Sequence, residues 1–257
     1  MWLTTTLIIS LGISACLALP GHAIGRIVNG TDAEPGERPF QISLQTTGRF
    51  HFCGGFILNA HYAVTAAHCL TDATAWDLLV VVGTNDIGEN RGIVRSVRRI
   101  KVHENYDLED ALRNDIALLE LTEYLPEIPN VVEYGKLPDA DQSPAIGDDA
   151  VVSGWGEDEN GQFPKLLQVA TLEISDQDDC KKIYNDSFNV EVDETQICSV
   201  LPEGGKGSCH SDSGGPMTVN GVVTGIVSWG AGCGQKGYPD VLLRVSKYLD
   251  WIKNNAV

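Results

Sequence analysis

Leu78-Leu79-Val80-Val81-Val82 is a run of five apolar residues that ends at Gly83. A run that short and that rich in Val and Leu reads as a strand. Runs of the same kind recur at Phe40–Leu44, Phe56–Leu58, Ile116–Leu121, Ala150–Val152, Leu166–Leu172 and Gly221–Val227, with Gly, Pro, Asn and Asp between them. This spacing predicts an all-β fold, a barrel or a sandwich. The end of the chain differs. Val245, Leu249 and Ile252 recur at i, i+4 and i+7 beside Tyr248 and Trp251, which predicts one C-terminal helix over about 245–255. Pro126, Pro129, Pro138 and Pro144 mark a linker between two β units, about 27–130 and about 131–244.

The 257 residues are 43% hydrophobic and 21% charged with 27 glycines, a balance that argues against disorder and coiled coil. Lys and Arg number 18 and Asp and Glu 35, for a net charge of −17. That charge repels phosphate backbones and anionic lipid, so neither nucleic acid nor a membrane is an expected partner. The longest N-terminal apolar stretch, Leu7 to Leu19, is 13 residues, well under the roughly 18–20 that span a bilayer. Small residues follow it. It reads as a signal peptide over 1–18, with Ala23 as the alternative cut, so the protein is expected to be secreted and extracellular. Seven cysteines are present, and Cys16 leaves with the signal. The other six, Cys53, Cys69, Cys180, Cys198, Cys209 and Cys233, suggest three disulfides among fifteen possible pairings. None forms a C-x-x-C pair, which disfavours zinc.

Three segments carry candidate chemistry: Thr65-Ala66-Ala67-His68-Cys69, Asn114-Asp115-Ile116-Ala117-Leu118 and Ser211-Asp212-Ser213-Gly214-Gly215-Pro216. Alone, each has a plain structural reading as a packed His, a strand-capping Asp and a loop Ser. Together, in that order, on a disulfide-bonded β protein, they describe a nucleophilic site. A serine hydroxyl needs a base to take its proton as it attacks. His suits that role because it titrates near neutral pH. The imidazolium that forms needs a fixed carboxylate. The glycines after Ser213 let backbone approach closely, and the amides of Ser211 and Ser213 are candidate oxyanion donors. An α/β-hydrolase is disfavoured, because its order is Ser, acid, His.

With these segments and with Ile27-Val28-Asn29-Gly30, Gly154-Trp155-Gly156 and Ser228-Trp229-Gly230, the chain resembles the trypsin/chymotrypsin family of serine endopeptidases over 27–257. The resemblance implies two six-stranded antiparallel β-barrels with a cleft between them and a C-terminal helix. It implies His68 as base, Asp115 as its partner, Ser213 as nucleophile and an oxyanion hole of Ser211 and Ser213. It selects the disulfides Cys53–Cys69, Cys180–Cys198 and Cys209–Cys233. It implies no cofactor and no metal; Thr84-Asn85-Asp86 lacks the leading Glu of the calcium-binding members. Residues 19–26 would be an activation peptide. Cutting after Arg26 would give Ile27 an ammonium group that pairs with Asp212. Expected partners are protein or peptide substrates, an activating trypsin-like protease and protein inhibitors, with the enzyme a monomer. A non-catalytic homologue is the competing class.

The resemblance also assigns the primary pocket to Gly207, Ser208, Ser228, Trp229, Gly230 and Asp240. Gly207 stands where trypsins have Asp, and Asp240 stands where most members have a small residue. A Gly floor with a wall Asp resembles the brachyurins, the collagenolytic group. This implies mixed specificity for large apolar residues and Arg or Lys, a digestive role, and collagen as a substrate by resemblance alone. The alternative is a chymotrypsin- or elastase-like pocket in which Asp240 bonds only internally, to Ser208 or water. Ser211 replaces the family's usual Gly, which should alter inhibitor sensitivity. Asn29-Gly30-Thr31 and Asn185-Asp186-Ser187 are glycosylation sequons, often unused. Arg91, Arg95, Arg98, Arg99 and Lys101 read as a solvated strand face. His51 matches a position engaged in zymogen hydrogen bonding or in structure.

Overall fold

A computed structural model describes residue 27 and residues 30–88, 91–140, 142–158 and 160–257. The expected signal and activation segments, Arg26 included, lie outside the described residues. The strands are β1 (Thr31–Asp32), β2 (Gln41–Thr46), β3 (His51–Ile57), β4 (Tyr62–Thr65), β5 (Leu78–Val82), β6 (Ile93–Val102) and β7 (Ala117–Leu121). They continue with β8 (Asp149–Gly154), β9 (Gln168–Ile174), β10 (Gln196–Val200), β11 (Pro216–Val219), β12 (Val222–Trp229) and β13 (Asp240–Arg244). The first barrel closes in the order β2-β3-β4-β7-β6-β5, with β5 returning to β2. The second runs β9-β10-β13-β12-β11-β8, and β8 returns to β9. Both are antiparallel and six-stranded. β1, from the start of the described chain, joins the edge of the second barrel through Thr31 opposite Val169.

The run Ile116–Leu121 has no polar alternation up to Leu119 because β7 is buried on both faces. Ala117, Leu119 and Leu121 fill the first barrel, while Ile116 and Leu118 face the second across a shared interface. Successive strand side chains point to opposite faces, so two apolar environments require a continuous run. The same interface cluster takes in Val223, Ile226 and Leu243 from the second barrel and Val245, Tyr248 and Ile252 from the chain end. The C-terminal helix is α2 (Leu249–Asn255), entered through a 3-10 turn over Val245–Lys247.

A second helix, α1 (Gln177–Phe188), was not predicted. Its apolar signal is thin, with Cys180 and Tyr184 buried at i and i+4. Its caps are clear: Asp176 accepts from the amides of Asp178 and Asp179, and Asn189 closes it in the left-handed region at φ 54°. The proline-bearing linker is pinned to both barrels, through Gly135 N–H to Ile57 O at 2.7 Å and Val223 N–H to Lys136 O at 2.8 Å. The disulfides are Cys53–Cys69, Cys180–Cys198 and Cys209–Cys233. Among the described residues no helix is long and apolar enough to cross a membrane.

Candidate active site

His68 opens a 3-10 turn just after β4, and Asp115 directly precedes Ile116 and β7, the strand that pairs with β4. The turn into Asp115 is strained: Ala111, Leu112 and Asn114 have φ of 49°, 52° and 58°. Tyr248 Oη donates to Asn114 Oδ1 at 3.0 Å and so braces it. Asp115 is only 1% exposed. Its Oδ1 accepts from the His68 amide at 2.9 Å, and its Oδ2 lies 2.7 Å from His68 Nδ1. Ser228 Oγ, from β12 of the other barrel, donates to Oδ2 at 2.5 Å. A carboxylate only accepts, so this network assigns the ring proton to Nδ1 and leaves Nε2 a free lone pair.

Ser213 lies between the barrels. Its carbonyl accepts from Gly54 N–H of β3, and the next amide, Gly214, donates to Val227 O of β12, both at 2.8 Å. Cys69 Sγ lies 3.9 Å from His68 Nε2 and 3.7 Å from Ser213 O. The basic edge of His68 and the Ser213 main chain therefore abut the same disulfide. Gly214, at φ 79°, is required here: a Cβ would meet Gly54 O at 2.7 Å and Ala66 N at 2.9 Å.

The turn before Ser213 is held from two sides. Asp212 is buried, with Oδ1 accepting from Gly156 N–H at 2.8 Å and Oδ2 from Cys209 N–H at 3.0 Å. Burial pushes its carboxyl up to about 7, against the opposing pull of these amides. A Cβ on Gly154 or on Gly156 would run into this carboxyl group, which gives the Gly-Trp-Gly segment a physical reason. On the other side, Ser211 is in the left-handed region at φ 71°. Its carbonyl accepts from His51 Nε2 at 3.2 Å, and His51 Nδ1 is 2.8 Å from Ser43 Oγ. Burial pushes His51 down to about 4, so the ring is neutral at working pH. Ile27 is fully buried in the second barrel's core beside Ala150, Val152 and Leu172.

Beside Ser213 opens a pocket of about 230 Å³, lined by Ser208, Ser213, Ser228, Trp229, Gly230 and Asp240. His210 also lines it, a residue the sequence reading missed. Asp240 is 6% exposed, and its Oδ2 accepts from Ser208 N–H at 2.7 Å and Ser208 Oγ–H at 2.8 Å. Its Oδ1 faces Gly230, 3.4 Å from where a Cβ there would sit. Burial pushes the Asp240 carboxyl up to about 6. Gly207 lies behind the lining: a Cβ would fall 2.8 Å from Gly234 Cα and 3.2 Å from Asp240 Oδ2.

The family model for trypsin matches residues 27–252. The chain belongs to the trypsin family. It is 42% identical over 244 residues to Trypsin-1 of Astacus astacus, covering 90% of this chain and 100% of that one. It is 37% identical over 240 residues to Trypsin Blo t 3 of Blomia tropicalis, covering 92% of this chain and 88% of the other. A trypsin of Saccharopolyspora erythraea is 37% identical over 226 residues, covering 87% and 95%. This trypsin-family chain is a serine endopeptidase.

Ser228 was assigned by sequence to the pocket wall alone. The signal for its second contact was a hydroxyl ending the apolar run Val222–Val227, since a buried hydroxyl needs a partner. The basic strand β6 is paired: Arg98 and Arg99 reach Glu120 at 3.4 and 2.9 Å, and Lys101 reaches Glu104 at 3.6 Å. Asn185 is exposed on α1, while Asn29 lies outside the described residues.

Proposed function

We propose that the chain is a secreted zymogen, cut after Arg26 by a trypsin-like protease, whose active form is a monomeric digestive endopeptidase. The contact of His68 Nδ1 with Asp115 Oδ2 at 2.7 Å carries the catalytic part of this reading, because it turns the basic nitrogen away from the acid, while secretion, activation, monomeric state and a digestive role rest on the sequence reading. The roles follow the family's own well-described triad. His68 Nε2 takes the Ser213 proton as Oγ attacks the substrate carbonyl. The amides of Ser211 and Ser213 hold the oxyanion. His68 then passes its proton to the leaving amine, and water repeats the sequence on the acyl-enzyme. Asp115 holds the ring in place and offsets the imidazolium charge. Covalent labelling by a fluorophosphonate tests the reading. Label should enter the wild type after cutting at Arg26 and be absent from Ser213→Ala; an unlabelled cut chain would make it a non-catalytic homologue.

The pocket supports mixed specificity. One oxygen of Asp240 is committed to Ser208, and the other is available to an Arg or Lys tip, while Gly230 in the lining leaves room for large apolar side chains. A chymotrypsin- or elastase-like reading draws on the same Ser208 bonds. Asp240→Asn keeps an oxygen for Ser208 and removes the charge, so it is a cleaner change than Asp240→Gly, which would orphan the Ser208 amide. We expect Asp240→Asn to lower the ratio of kcat/KM for Arg or Lys substrates over Phe substrates by about tenfold or more, the scale of one buried charge contact. In the wild type, Asp240 is ionised above about 6 and neutral below. The same ratio should therefore fall as pH drops through 6, a ratio of two substrates being blind to losses that both share. A ratio flat from pH 8 to 5 would remove Asp240 from substrate choice. Protein inhibitors meet the Ser211 turn directly. Relief of its left-handed backbone in Ser211→Gly is expected to add about 1 kcal/mol of stability and to tighten large inhibitors. Thermal midpoints and inhibition constants check this. Collagen is a substrate by brachyurin likeness, testable by digestion of native collagen.

A further inference from the structure

A second cavity, of about 270 Å³, opens where the two barrels meet their linker. Thr84 lines it from the turn after β5, Leu166 from just before β9 and Val131 from the linker. It shares no residue with the pocket beside Ser213. Pro39, Val131 and Leu166 make apolar wall, and Val131 and Leu166 keep 41% and 38% of their surface in water. Two arginines, Arg38 and Arg91, also line it.

Arg38 is the unusual member. Its side chain is only 12% exposed, and a guanidinium stays charged and can only donate. Nη1 donates to Thr218 Oγ1 at 3.0 Å. Among the described residues the carboxylate that pairs with Arg38 is Glu37, at 3.7 Å, beyond hydrogen-bond length, and Nε is buried with no partner. Glu37 is also engaged elsewhere, its Oε2 accepting from Glu34 N–H at 2.9 Å. A buried cation is costly until it is paired and hydrogen-bonded. Burial accordingly pulls the Arg38 guanidinium below its ordinary value, with Glu37 opposing. Asp86 lines the same cavity, but its Oδ1 is turned to the Gly88 amide at 2.8 Å. We propose that this crevice binds a small organic carboxylate with an apolar body, its acid group on Arg38 and its body against Pro39, Val131 and Leu166. An arginine fork meets both oxygens of a carboxylate. Bare sulfate or phosphate would leave the apolar wall in water. The cavity is slightly smaller than the roughly 300–1,000 Å³ of drug-sized sites, so the occupant is one residue or an acid of that size, free or as the C-terminus of a peptide. The net charge of −17 repels anions at long range, but salt at about 0.15 M screens that field within about 8 Å.

Titration calorimetry of the full chain at about 0.15 M salt tests it, with N-acetyl-leucine as the probe. The expected Kd is on the order of 1 mM, the strength of about a dozen atoms at ordinary efficiency. N-acetyl-leucinamide lacks the charge and sulfate lacks the apolar body, so each should bind at least about tenfold more weakly. Arg38→Met keeps the apolar stem and loses the fork. Val131→Trp fills the cavity, leaves Arg38 in place and keeps the test open if Arg38→Met does not fold. Each should weaken the probe by about tenfold or more. The tripeptide Gly-Gly-Leu separates the sources: tighter binding than the probe makes the occupant a peptide C-terminus, weaker binding a free acid, and both support the site. Probe binding unchanged in the folded variants would put the probe elsewhere, the pocket beside Ser213 included, and overturns the proposal. So does an amide or a sulfate that binds as tightly as the probe, or a wild type that takes up no probe at about ten times the expected Kd.

Discussion

Asp115→Asn is expected to lower kcat by on the order of 10⁴, the size this change has in the family's best-studied triad, with KM nearly unchanged. The geometry gives the reason. Both oxygens of Asp115 accept, from the His68 amide, from His68 Nδ1 and from Ser228 Oγ. An amide side chain has one accepting atom and one donating group. If its oxygen keeps the His68 backbone, its NH₂ faces Nδ1 and forces the ring proton onto Nε2, where it blocks the base. If the oxygen faces Nδ1, the NH₂ opposes the His68 amide, and a buried donor pair is left unmet. The first arrangement removes the base and the second keeps it only at the cost of that unmet pair, so the first prevails, and neither removes the substrate pocket. Steady-state kinetics on a small ester and the fluorophosphonate labelling rate measure it. A loss under tenfold would take Asp115 out of the relay. Ser228→Ala removes a single donor and is expected to cost far less.

Arg26→Gln is expected to leave the protein at least about a hundredfold less active after exposure to a trypsin-like protease, since losing ordered oxyanion donors costs about 10²–10³. Asp212 is the physical switch in this reading. It is buried, holds the amides of Gly156 and Cys209, and directly precedes Ser213. In the uncut chain burial lifts its carboxyl to about 7, above the ordinary carboxylate value. A group raised on folding contributes stability that is complete at acid pH and is lost as pH rises through about 7. A new ammonium on Ile27 beside Asp212 would reverse this by favouring the ionised form. Ile27 also has φ of 43° in the uncut chain, a left-handed conformation costly for a β-branched residue, and cutting the preceding peptide bond releases it. Cutting should therefore raise the thermal midpoint more at pH 8 than at pH 5. Calorimetry on cut wild type and on Arg26→Gln at both pH values measures the difference. Full activity of Arg26→Gln, or an equal midpoint shift at both pH values, would reject the switch.

Much of this molecule is legible without coordinates. The class follows from runs such as Leu78–Val82 and Ile116–Leu119, and in the second the alternate residues enter two different apolar clusters, so successive positions must be apolar. The C-terminal helix follows from the spacing of Val245, Leu249 and Ile252. Helix α1 was not legible, since its buried face is only Cys180 and Tyr184 and its caps resemble ordinary turn residues. His68, Asp115 and Ser213 stand out because the chemistry needs their residue types and the surrounding glycines need their space.

What the sequence alone determined is therefore composition-borne: strand character, the even set of cysteines, and the order of His, Asp and Ser. What only the tertiary structure decided is which distant groups share a hydrogen bond. Ser228 meets Asp115 across 113 residues, Asp240 divides its oxygens between Ser208 and the pocket, and β1 joins the second barrel. Such contacts depend on how two closed sheets pack, and the local pattern around either partner carries no record of the other.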